Sequence, residues 1–112
     1  MNLAMTENVL RNENRSYSGR GGVSEENRHM GFQPAFLDAD TGKVYASRYA
    51  NGLPAPFHLL DGLPDELILM RHSTGRVAAV KHSVTSGFVR GGRFFTREQA
   101  VHHVTAIEAS VE

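Results

Sequence analysis

Between Ser86 and Ile107 the chain spells out a strand, a two-residue turn, a returning strand and a capped helix, and this run restricts the fold more than any other feature. Gly91-Gly92 supplies the two positive-φ residues that a primed hairpin turn requires. A turn there pairs Arg90 with Arg93, Val89 with Phe94 and Phe88 with Phe95. Strand alternation then puts Phe88, Arg90, Arg93 and Phe95 on one face and Val89 with Phe94 on the other. Thr96-Arg97-Glu98-Gln99 reads as a capping box, in which the Thr96 hydroxyl accepts from the Gln99 N–H and the Gln99 side chain reaches back. Behind it Ala100, Val101, Val104 and Ile107 fall on one helical stripe. Burying such a stripe contributes about 1.5–3 kcal/mol for each large aliphatic side chain.

Upstream the same logic repeats with shorter runs. Phe32–Leu37 is apolar and extended, with Pro34 best suited to an edge strand. Asp38-Ala39-Asp40-Thr41-Gly42 is a turn cluster, and Lys43–Tyr49 alternates as a returning strand. Asn51-Gly52 and Asp61-Gly62 mark turns, and Pro54, Pro56 and Pro64 break regular structure between them. Phe57, Leu59 and Leu60 are expected to plug the core from this irregular stretch. Glu66–Arg71 and Arg76–Val84, joined at Ser73-Thr74-Gly75, form another hairpin. The pattern predicts an α+β fold: a small antiparallel sheet of about five strands with one C-terminal helix packed on it. Residues 32–112 make up this single domain.

Residues 1–31 read as a disordered tail. Asparagine, serine and glycine dominate, and the few apolar residues bury too little to offset an ordering cost of about 1–2 kcal/mol per residue. Met5, Val9 and Leu10 share one helical face, but an isolated helix this short is marginal. There is also a genetic reading. Glu25-Glu26 can be encoded by GAGGAG, a bacterial ribosome-binding sequence, with Asn27, Arg28 and His29 spacing it from Met30. Translation is then expected to start naturally at Met30.

Composition excludes several chemistries. The chain has no cysteine, hence no disulfide, thiolate nucleophile or Cys-ligated metal. Lys+Arg and Asp+Glu are equal at 12 each, so no bulk charge draws it to nucleic acid or membrane. No apolar run approaches the ~20 residues of a membrane span, and a cytoplasmic location is expected. The six histidines include no H-x3-H pair or HExxH motif, and adjacent His102 and His103 diverge by about 100° on a helix. A zinc site from His82, His103 and a carboxylate is the one metal arrangement with any basis. There is no G-x-S-x-G elbow and no phosphate loop. Asp38-x-Asp40-x-Gly42 lacks the rest of a calcium loop. Neither a cofactor nor catalysis is expected.

One local asymmetry stands out. No acidic residue lies between Glu66 and Glu98, while that interval holds Arg71, Arg76, Lys81, Arg90, Arg93 and Arg97. Residues 32–66 hold the opposite excess: Asp38, Asp40, Asp61, Asp65 and Glu66 against Lys43 and Arg48. Should Val89 and Phe94 face the core, Phe88, Phe95, Arg90 and Arg93 form a face suited to stacking bases and holding phosphate. Should Phe88 and Phe95 face the core, the arginines reach solvent at the hairpin tip. The candidate binding residues are therefore Arg71, Arg76, Lys81, Phe88, Arg90, Arg93, Phe95 and Arg97.

The stretch Ser86-Gly87-Phe88 through Gln99-Ala100 resembles the ending G-F-x-x-x-G-R-F-x-[TD]-R-E-x-A of small uncharacterised bacterial and phage proteins. Residues 32–66 loosely resemble proteobacterial proteins without assigned function. The resemblance implies the hairpin–helix unit and no activity. The expected role is a small non-enzymatic binding protein that engages another protein, or a second copy of itself through an exposed strand edge. The alternative is a nucleic-acid-binding module using residues 71–97.

Overall fold

The turn signals become turns in the structure, a computed structural model that describes residues 4–110. Its elements are β1 (Met5–Thr6), α1 (Glu7–Tyr17), α2 (Ser24–Asn27), β2 (Gln33–Asp38), β3 (Lys43–Ala46), β4 (Ile68–Arg71), β5 (Val77–Val80), β6 (Val84–Arg90), β7 (Arg93–Thr96) and α3 (Arg97–Ser110). The fold is α+β. Gly91 and Gly92 take φ of 59° and 79°, and the β6–β7 register is Phe88↔Phe95, Val89↔Phe94 and Arg90↔Arg93. The capping box closes reciprocally: the Gln99 N–H donates to Thr96 Oγ1 at 3.1 Å, and the Thr96 N–H donates to Gln99 Oε1 at 2.9 Å.

There are two sheets rather than one, ordered β1-β5-β4 and β3-β2-β6-β7. The reason lies at Lys81–Ser83. The Val84 N–H closes a turn on Lys81 O, and the Ala39 N–H takes Ser83 O. This redirects the chain, so β5 and β6 join different sheets. The long-range pairing of β2 with β6, from Gln33↔Val89 to Asp38↔Val84, sets the larger sheet. β2 is therefore central rather than an edge strand. Pro34 is tolerated because it lies past the end of the β3 ladder, where its carbonyl still accepts the Ser47 N–H at 2.9 Å.

Residues 4–31, expected as a disordered tail, fold onto the rest. β1 pairs with β5 through Met5↔Val80 and Thr6↔Ala79 and completes the smaller sheet. Thr6 caps α1 by accepting the Val9 N–H. Met5 and Leu10 are buried with Phe36, Leu67, Val77 and Val80. What the segment lacks in apolar area it replaces with local polar bonds. Glu26 accepts from the N–H groups of Gly19 and Gly21, and the buried Asn27 amide donates to Gly21 O. Gly21 and Gly22 lie so close to Val104, Val101 and Tyr17 that a Cβ at either would overlap them.

A second cluster joins the hairpin to α3: Phe32, Phe88, Phe95, Ala100 and Val104. Phe32 meets Phe88 and Phe95 edge-on at 6.0 and 5.2 Å. Gly87 lets β6 pass beneath Phe94 and the Phe95 carbonyl, where no side chain fits. Leu60 is buried as expected, but Phe57 is exposed and packs edge-on against Tyr49. Among the described residues no helix is long and apolar enough to cross a membrane.

Candidate binding surfaces

The basic interval does not form a continuous surface. Folding returns the acidic residues of the 32–66 segment to it. Asp65 pairs with Arg71 at 2.9 Å, Asp61 with Arg76 at 3.3 Å, and Asp40 with Lys81 at 3.4 Å. Asp61 also accepts the Val77 N–H. Three of the six basic residues are thus each matched by a carboxylate of the 32–66 segment.

The hairpin resolves its own alternative. Phe88 is fully buried and Phe95 nearly so, because this face lies against Phe32 and α3. Neither ring is available to stack on a ligand. Arg90 Nε donates to Met30 O at 2.8 Å and its guanidinium lies 5.6 Å from the centre of the Phe32 ring. Arg93 lies over Phe95 at 4.9 Å. Both spend their reach on covering core aromatics. His103 does the same from α3, edge-on to Phe32 and Phe95, and His82 is exposed.

Arg97 is interior. Its Nε donates to Ser86 Oγ at 2.8 Å, Nη1 to Gly22 O at 2.9 Å, and Nη2 faces His58 Nδ1 at 3.2 Å. Ser86 Oγ in turn donates to Glu13 Oε1 at 2.7 Å. His58 Nε2 lies 2.7 Å from Gly87 O. A carbonyl only accepts, so Nε2 carries the proton and Nδ1 is left as the acceptor for Arg97. Burial lowers the Arg97 pKa, opposed by Glu13 and then Tyr17; the guanidinium nevertheless stays charged. Sequence reasoning placed Arg97 on a basic surface and missed this role. A signal was present: Arg97 occupies the first turn of a helix immediately after the strand whose Phe95 faces the core.

Burial first, and then the Arg97 charge, push His58 from 6.5 to about 3, against opposing bonds from Gly87 and Ala35. The folded state thus keeps His58 neutral where the unfolded chain protonates it near 6.5. The unfolded chain binds the extra proton, so this contribution is complete above pH 6.5 and is lost as pH falls toward 3. The expected loss is about 1.4 kcal/mol per pH unit below 6. Urea unfolding at pH 7.5, 6, 5 and 4 measures it. His58→Gln, which can still donate to Gly87 and accept from Arg97, should remove that part of the slope. Equal slopes in the two proteins would contradict the assignment.

The exposed features lie elsewhere. A groove of about 400 Å³ runs between the start of β2 and the segment 54–56, with Pro34, Pro54, Pro56, Arg28 and Arg48 among its lining residues. Both arginines are tied to backbone carbonyls, Arg28 to Pro56 O and Arg48 to Gly52 O. The other feature is β4, an edge of the smaller sheet. Its register against β5 shifts on both sides of Met70. As a result Leu69 and Met70, consecutive residues, are 61% and 62% exposed. In a regular strand one of the two would turn toward the sheet's covered face. No known protein family matches the chain, and no curated protein or solved structure shows significant similarity to it.

Proposed function

We propose that this chain is a non-enzymatic binding protein that takes another polypeptide along the edge strand β4. The observation that carries the reading is the pair Leu69 and Met70, both turned to water on an unpaired edge. Edge strands are ordinarily short, charged or covered, because an apolar edge recruits other chains. β4 is short, yet its centre carries no charge. A polypeptide laid along this edge would cover both side chains. The buried polar cluster around Arg97 supports the non-enzymatic part: its hydrogen bonds are spent on each other and on backbone carbonyls, which is the work of a structural clamp. The setting we propose is the cytoplasm, since a chain without cysteine draws nothing from an oxidising compartment.

A photo-crosslinking amino acid at Leu69, in the native host, tests it. The expected product is a covalent adduct to a polypeptide, mapped to a defined extended segment by mass spectrometry. The same group at Thr105, exposed on α3, should give none. Adducts to nucleic acid, concentrated at Arg90 and Arg93 when the probe is moved there, would overturn the reading in favour of a nucleic-acid module.

A further inference from the structure

We infer that the polypeptide bound at β4 is a second copy of this chain, related to the first by a two-fold axis beside Leu69 and Met70. The inference rests on the strand-edge reading above. β4 is charged in opposite senses at its two ends. Asp65 and Glu66 stand in the 3₁₀ turn before it and Arg71 at its far end, while His72 beyond is already held by Glu7 Oε1 at 2.8 Å. A two-fold axis across the strand reverses its direction in the partner, so Asp65 of each copy meets Arg71 of the other. The edge strand β3 lacks this property. Lys43 opens it and Arg48 follows it, so the same operation there sets like charges together.

Within one copy Asp65 and Arg71 already satisfy each other, 2.9 Å apart, with the Asp65 side chain 94% exposed. In the dimer each exchanges its partner for the equivalent group of the other copy. Exposed pairs of this kind contribute little, and two are lost as two are formed. The driving force is therefore the removal of Leu69 and Met70 from water. The irregular register matters here. Bulges usually blunt an edge against ladder pairing, but this one turns two consecutive apolar side chains outward. The contact is accordingly one of side-chain packing across the axis, flanked by the exchanged ion pairs. An interface centred on two such side chains from each copy is small, below about 1,200 Å², and its association weak and concentration-dependent.

Sedimentation equilibrium of the full chain from about 10 µM to about 1 mM, the range that brackets weak association, is the test. The expected result is reversible dimerisation. Leu69→Ser with Met70→Ser should weaken it at least about tenfold. Asp65→Arg and Arg71→Asp should each weaken it about as much, because each sets like charges across the axis. The combined variant, Asp65→Arg with Arg71→Asp, should restore it, since complementarity returns with the signs exchanged. All four positions are at the surface, and a thermal melt of each variant checks that it folds. A single monomeric species throughout overturns the inference, as does a dimer indifferent to these changes or a double variant as weak as the singles. A monomer whose Leu69 crosslink maps to a different protein removes the second copy and leaves the strand-edge reading standing. A monomer with no polypeptide crosslink removes both.

Discussion

A chain beginning at Met30 should lose cooperative folding. The deletion removes Met5 and Leu10 from the larger core cluster, at about 1.5–3 kcal/mol each by transfer alone and more for the cavities left behind. It removes β1, so β5 becomes an exposed edge with Val80 uncovered. It also takes Gly22 O and Glu13 from the Arg97 cluster. Stranding a buried charge in this way costs about 3–5 kcal/mol. Together these losses match the whole stability of a small domain, about 5–15 kcal/mol. The measurement is a urea titration followed by circular dichroism, with an amide spectrum of both proteins at pH 7.5. The full chain should show one sigmoidal transition and dispersed amides, and the shortened chain neither. A shortened chain with dispersed amides and comparable stability would mean that residues 4–29 only decorate the fold. The N-terminal segment would then be dispensable, as the sequence reading of a tail and a start at Met30 requires.

The expectation of disorder over residues 4–31 differs from the structure for a definable reason. It counted apolar area, and residues 4–31 have little. The segment is held instead by carboxylate and amide side chains that bond backbone groups, Glu26 to Gly19 and Gly21 and Asn27 to Gly21. Two glycines there owe their place to close approach to α3 and α1. Such bonds link residues five to seven apart, and nothing in a hydropathy pattern marks them. By contrast the β6–β7–α3 unit was legible to the register and the cap, because each of its determinants is local: two glycines for the turn, strand alternation, and a threonine three residues before a glutamine. The division into two sheets was not legible, since it depends on the β2–β6 pairing between segments about fifty residues apart in sequence. The candidate site divides in the same way. A basic run in sequence says nothing about which carboxylates fold back on it, and here Asp40, Asp61 and Asp65 do. The exposed pair Leu69 and Met70 was hidden inside an apolar run that read as an ordinary strand.

Arg97→Ala should be among the most damaging single substitutions in the chain, at about 3–5 kcal/mol. The guanidinium is the one group that reaches Ser86 on β6, the Gly22 carbonyl before α2 and His58 in the 50–65 segment. Its removal leaves the Gly22 carbonyl and His58 Nδ1 without a donor and Glu13 without its nearest buried cation. Each stranded group costs about 1–3 kcal/mol. Arg97→Lys should recover only part of the loss. An ammonium is a compact charge, and it cannot present the planar fork that spans three acceptors. Arg97→Met separates charge from volume: it keeps most of the packing and removes the charge beside His58. Because that charge is the second cause of the depressed His58 pKa and burial the first, the histidine should then titrate higher, though still below 6.5. Its contribution to acid destabilisation should flatten at a higher pH than in the parent chain. Stability measured against pH for the parent chain, Arg97→Met and His58→Gln reads out both effects. A methionine variant with the parent's stability and acid slope would show that Arg97 merely fills space. The expected pattern ties two letters of the Ser86–Ala100 motif, Gly87 and Arg97, to one task. Gly87 offers its carbonyl to His58 and Arg97 takes the other side of the ring, so the hairpin–helix unit grips the 50–65 segment at a buried imidazole.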